Sequence, residues 1–159
     1  MRIIGLPSVV NKSSKVIILG SMPGAESLRI RQYYGHPRNQ FWEIMKRLLK
    51  QKSIASYVDK KRMVFNNGIA LWDVIHSCKR DGSLDANLRD IKVNDFKRFI
   101  KRHPNIRAVF CNGQTAFRLF NRHCGYVDLP VLCLPSTSPA HSIPVSNKLR
   151  KWKKVLRFL

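Results

Sequence analysis

A chain of 159 residues that is 44% hydrophobic is long enough for one compact domain with a core, too short for two, and too apolar for disorder. Its 30 Lys and Arg against 9 Asp and Glu give a formal net charge of +21, a self-repulsion that a polyanion relieves, so nucleic acid is the expected partner. No apolar run has the length that crosses a bilayer, and the opening MRIIGLPSVVNKSSK lacks the apolar stretch of a secretory signal; a cytoplasmic protein with no membrane partner is expected.

The first buried-strand pattern is Val16–Leu19 (VIIL). It runs into Gly20-Ser21-Met22-Pro23-Gly24, where backbone N–H groups can cradle a phosphate or a base carbonyl, although an ordinary strand-to-helix turn reads the same way. No Gly-Lys-Ser/Thr follows, so this is not a Walker loop. In YYGHPRNQFW, Tyr33 and Tyr34 offer a stacking face for an unpaired base, and Asn39 stands where a helix N-cap belongs. The helix Asn39–Gln51 carries Phe41, Trp42, Ile44, Met45, Leu48 and Leu49 in one stripe.

After the turn signal Asn66-Asn67-Gly68 comes a strand, Ile69–Val74, then a polar loop, HSCKRDGS. Asn94 is the expected cap of a helix bearing Phe96, Phe99 and Ile100 that stops before Pro104. A third strand, Ile106–Phe110, leads through CNGQ into the helix Gln114–His123. The fourth strand, Val131–Leu134, leads into PSTSPAHS, whose hydroxyls suit phosphate contacts. Ser146 is the expected cap of a last helix that turns Leu149, Trp152, Leu156 and Leu159 inward. Lys148, Arg150, Lys151, Lys153, Lys154 and Arg157 lie off that stripe, as a solvated face or as a face for DNA.

Strands that alternate with helices predict an α/β fold, a three-layer α/β/α sandwich on a four-stranded, mostly parallel sheet, as a single domain over 1–159. Sites in such sheets gather at the carboxyl ends of the strands, so the four loops should converge on one edge. Cys78, Cys111, Cys124 and Cys133 show no CxxC spacing and are expected as reduced thiols. The five histidines are scattered, and neither a metal nor a cofactor is expected.

Taken together and in order, LGSMPGAESL, YYGHPRNQFW, GIALWDVI, DGSLD, FCNGQTAF and LPSTSPAH resemble the uracil-DNA glycosylase superfamily, and within it the hypoxanthine-DNA glycosylase branch. The resemblance spans Leu19 to His141, most of the chain. It implies an enzyme acting on double-stranded DNA, which flips a deaminated base into a pocket and hydrolyses its glycosidic bond without a cofactor; a monomer is expected, since repair at a single site needs no two-fold symmetry. It implies that Gly20, Ser21 and Met22 border the flipped base. In better-known branches the third position of this motif is Asp or Asn and positions the attacking water; here it is Met22. The hypoxanthine branch gives that role to the Asn of HPxN, which is Asn39.

Tyr34 falls where mismatch-specific relatives stack an aromatic on the base, Asp73 near the base-reading Asn of the uracil enzymes, and Asn112 is a further polar candidate. The PSTSPAH segment matches the motif that grips phosphates and wedges the duplex, assigning DNA contacts to Ser136, Ser138, Ala140 and His141; Ala140, at the usual wedge position, is small for that task. Met22 and Ala140 keep a non-catalytic nucleic-acid-binding domain open as an alternative. HPxNxFW keeps open a glycosylase for uracil or for thymine in G mismatches.

Overall fold

The computed structural model describes residues 1–159. Four strands, β2 (Val16–Gly20), β3 (Ile69–Asp73), β6 (Ala108–Asn112) and β7 (Val131–Leu134), form an all-parallel sheet in the order β3-β2-β6-β7. The sequence placed three of them within a residue. The third begins two residues later than expected, because Ile106 closes the turn after Pro104, its N–H bonded to His103 O.

Alternation along the strands builds two cores, one on each face. Val16, Ile18, Ile69, Leu71, Ala108 and Phe110 pack under α2 (Phe41–Leu48), α3 (Tyr57–Asn66) and Trp152 of α6 (Val145–Trp152). Ile17, Leu19, Ala70, Val109 and Cys111 pack under Phe96 and Phe99 of α4 (Phe96–Arg102) and Ala116 and Phe120 of α5 (Gln114–Cys124). The result is the expected three-layer sandwich. All four cysteines are free thiols, three of them buried.

A second sheet was not legible. β4 (Ile75–Lys79) pairs antiparallel with β1 (Ile3–Ile4) on one side and β5 (Arg89–Val93) on the other. The segment read as the loop HSCKRDGS is therefore a strand for its first half. Register irregularities between Ile75 and Ser77 and between Ser77 and Lys79 break the two-residue period that announces a strand. The small sheet continues directly from β3, so it hangs beside the carboxyl end of the main one.

Three helix ends differ from expectation. Asp95, not Asn94, caps α4, its carboxylate accepting from Arg98 N at 2.9 Å; Asn94 is buried and donates instead to Asp73 O at 2.8 Å. Pro144, not Ser146, stands at the cap of α6, where its fixed φ suits a helix start. After Trp152 the chain tightens into a 3-10 turn, Lys153–Phe158, so Val155 is buried and Leu156 is exposed. Lys148, expected on the polar face, is wholly buried.

Candidate active site

The carboxyl ends of β2, β3, β6 and β7 open on a cavity of about 530 Å³. Gly20–Ser27, a short α1 (Ala25–Ile30) included, form one wall, Tyr33–Asn39 a second, Ser136–His141 a third, and Ser83–Asp85 the rim. Three of the four loops expected at this edge are there. The fourth place is taken by the turn beyond β4 rather than by residues directly after β3.

At the floor, Gly20 and Asp73 face each other in register across β2 and β3. Any side chain at Gly20 would collide, since a methyl there would lie 2.5 Å from Asp73 Oδ1 and 3.6 Å from Tyr34 Oη. Asp73 is 4% exposed and its Oδ2 has no protein partner. Burial pushes its carboxyl up to about 7; Asp85 adds to the rise and the Arg80 guanidinium opposes it. Asn94 fixes the backbone of Asp73 from behind. Tyr34 Oη is likewise buried without a partner, and burial with the neighbouring Asp73 raises its phenol above the ordinary range. Unpaired polar atoms at the bottom of a pocket invite a ligand with matching donors and acceptors, because leaving them unpaired costs about 1–3 kcal/mol each.

The two tyrosines part company. Tyr33 is buried and donates through Oη to Pro7 O at 3.0 Å, which places it in the core and not on a base. Tyr34 lines the cavity with a backbone φ of 54° and one ring face stacked on Phe41 at 3.9 Å between centroids. That face is taken, leaving the rest of the ring and its hydroxyl to the pocket.

Asn39 lies at the pocket wall, and its Oδ1 accepts from Phe41 N at 2.9 Å, so it does secure the start of α2. The capping bond uses one of two lone pairs and leaves the NH2 group, so the same amide can also hold a water. Met22 borders the cavity but is 6% exposed, packed with Ile75 and Cys78 under the small sheet. It is an apolar anchor, not a polar group. Ser21 Oγ donates to Asp85 Oδ1 at 2.8 Å, tying the first loop to the rim.

The last loop is held on every side. Asn112 Nδ2 donates to Thr137 Oγ1 and Thr137 N donates to Asn112 Oδ1, both at 2.9 Å. Asn112 thus holds the loop with one N–H and one lone pair, while its second N–H remains on the side chain that lines the cavity. Gln40 N donates to Thr137 O at 3.0 Å, coupling the start of α2 to the same residue. Ser136 and Ser138 accept from backbone N–H groups two residues on, at 3.1 and 3.2 Å. Lys148 Nζ donates to His141 O at 2.6 Å, and burial lowers its basicity. Gly113, with φ at 99°, meets Ser136 so closely that a methyl would lie 3.0 Å from its Cβ.

A second, wider cleft of about 700 Å³ adjoins the cavity and shares Asp85, Asn112, Ser136 and His141 with it. Lys148, Arg150 and Lys151 line it, opposite the first turn of α5. Cationic side chains and free N–H groups there suit the phosphates of a strand whose base enters the cavity.

Sequence reasoning missed Thr137, Arg80 and Leu84. Arg80 is 7% exposed and donates to Pro23 O, bracing the first loop from the small sheet. Leu84 stands 60% exposed on the rim and carried a signal, as the one large apolar residue in the polar stretch 79–87.

Comparison with known proteins identifies the relatives of the chain. Residues 7–159 match the family described as the uracil DNA glycosylase superfamily. A protein of Methanosarcina acetivorans named hypoxanthine DNA glycosylase is 33% identical over 156 residues, 96% of this chain and 97% of that one. A protein of the same name from Methanosarcina barkeri is 31% identical over 157 residues, 96% and 97% of the two chains. The fold also superimposes with a TM-score of 0.83 and 32% identity on a solution NMR structure from M. acetivorans, described as a candidate uracil DNA glycosylase; 99% of this chain and 98% of that one are covered. No helix of the chain is long and apolar enough to cross a membrane.

Proposed function

The chain belongs to the uracil DNA glycosylase superfamily and is a DNA glycosylase, and from that premise we propose that it hydrolyses the glycosidic bond of hypoxanthine flipped out of double-stranded DNA. The observation that carries the reading is the cavity floor, where Asp73 Oδ2 and Tyr34 Oη sit buried and unpartnered beside a glycine that keeps the approach open. Hypoxanthine brings a carbonyl and a ring N–H to such groups. The two relatives named for that base support the choice of substrate.

Glycosidic cleavage builds positive charge on the sugar and negative charge on the departing base. Asp73 retains its proton below about pH 7, and as a neutral acid it donates to the base oxygen where charge accumulates. Asn39 orients a water beneath the sugar carbon through the lone pair and NH2 group that the capping bond leaves free. Its amide is too weakly basic to take a proton early, so its contribution is position. Ser136, Ser138, Ala140 and His141 meet the flanking backbone, with Arg150 and Lys151 in the adjoining cleft taking the next phosphates. The enzyme acts as a monomer on the nucleoid, since one lesion needs no two-fold partner.

Duplexes with a single hypoxanthine, uracil or G·T mismatch, treated with the protein and then with alkali, test the reading. Alkali-labile breaks are expected first and fastest at hypoxanthine. Faster breakage at uracil or at thymine would move the substrate to that base, and none on any duplex would leave only a nucleic-acid-binding domain.

A further inference from the structure

Resting on the glycosylase reading above, we propose that Leu84 is the residue that enters the DNA stack where the flipped nucleotide leaves it. A flipped base leaves a gap in the duplex, and proteins that distort DNA fill such gaps with apolar side chains such as Leu, Ile or Phe. The position that the sequence assigns to this task holds Ala140, which has a single methyl and cannot reach between base pairs. Leu84 has the right chemistry and the right place. It is 60% exposed and lines the cavity with Ser83 and Asp85, the same cavity that the Ser136–His141 loop borders.

Its loop is built to hold it out. Ser83 Oγ accepts from Ala25 N at 2.8 Å, and Asp85 Oδ1 accepts from Ser21 Oγ at 2.8 Å, so both neighbours of Leu84 are tied to the first loop. Asp81 closes the base of the turn, accepting from Arg89 at 2.8 Å, and its carbonyl accepts from Asn87 Nδ2 at 2.9 Å. An exposed leucine between two anchored residues keeps its backbone position when pressed against DNA. The residue has no other evident use, since no apolar neighbour buries it.

Ile143 is the nearest rival, 38% exposed and just beyond the last loop, but it lines the neighbouring cationic cleft and not the cavity. An apolar side chain there lies along the phosphate path and away from the gap.

The test is the ratio of excision rates on duplex and on single-stranded DNA carrying the same hypoxanthine, since only the duplex leaves a gap in a stack. Leu84→Ala should lower that ratio by about tenfold, consistent with a side chain that offsets unstacking, and Leu84→Met should restore most of it. Leu156→Ala, at an exposed leucine that lines neither the cavity nor the cleft, should leave the ratio at its wild-type value. Enhanced fluorescence of 2-aminopurine placed beside the lesion should weaken in parallel for Leu84→Ala. Equal loss on both substrates would make Leu84 a mere wall of the cavity and overturn the proposal. So would an unchanged ratio, or a fall in the ratio for Ile143→Ala alone. A wild-type protein inactive on both substrates would instead overturn the glycosylase reading, and the wedge with it.

Discussion

Asn39 illustrates how one side chain can be read two ways from sequence: the structure shows it bonding the start of α2, and the water-holding role is the one proposed for it. An anchor for a helix start and a water-holding amide ask for the same residue type; Gln40 stands at the cap of α2, and Asn39, one residue before it, secures the start through its Oδ1 bond to Phe41 N without exhausting the group. Met22 was legible only as a missing polar group; its actual place, packed against Ile75 and Cys78, depends on a second sheet that no period in the sequence announces. Asp73 was legible as a position but not as a chemical state, which arises from burial that only the folded chain defines.

That state has a consequence for stability. The folded carboxyl keeps its proton up to about pH 7, whereas the unfolded one loses it near the ordinary value of 3.8. Between those values the native state binds more protons, so this group's contribution falls as pH rises across the window and is level above it. Denaturant titrations of the wild type and Asp73→Asn from pH 4 to pH 8 should show the variant losing less stability over that range. Parallel curves would place the carboxylate in solvent-like surroundings.

At the scale of elements, the convergence of loops at the carboxyl ends followed from strand order and was foreseen, while the bonds that lock them were not. Thr137 and Asn112 are 25 residues apart and form a reciprocal pair that no local pattern encodes. Thr137→Val keeps the shape but removes the acceptor of the half-buried Asn112 Nδ2, a loss of about 1 kcal/mol. Chemical denaturation should register that loss, and amide exchange should quicken at Gln40 N, which bonds to Thr137 O. A neutral substitution would mean that the loop is held by Lys148 and Trp152 instead. Both of these donate to loop carbonyls, and both were read from sequence as one-sided features of α6, cationic or apolar. The helix period placed Trp152 correctly and failed at Lys148, because a buried lysine with a carbonyl partner has no sequence signature.

For the molecule as a whole, composition alone pointed to a polyanion, and the distribution of charge agrees. The six ion pairs engage few of the 30 Lys and Arg, and the cleft beside the cavity presents Arg150 and Lys151. Binding that rests on roughly four phosphate contacts should weaken by about a hundredfold between 50 and 200 mM salt. Fluorescence anisotropy with an undamaged duplex reads this directly, and salt-independent binding would contradict the charge argument.

The central claim is that the chemistry now centres on Asn39, the motif's usual polar position having become Met22. Single-turnover release of hypoxanthine from duplex DNA, measured beside thermal unfolding, tests it most directly. Asn39→Ala should slow release by roughly a hundredfold or more, while the lost cap costs only about 1 kcal/mol of stability. Release at an undiminished rate from a folded Asn39→Ala protein would show that the attacking water is held elsewhere.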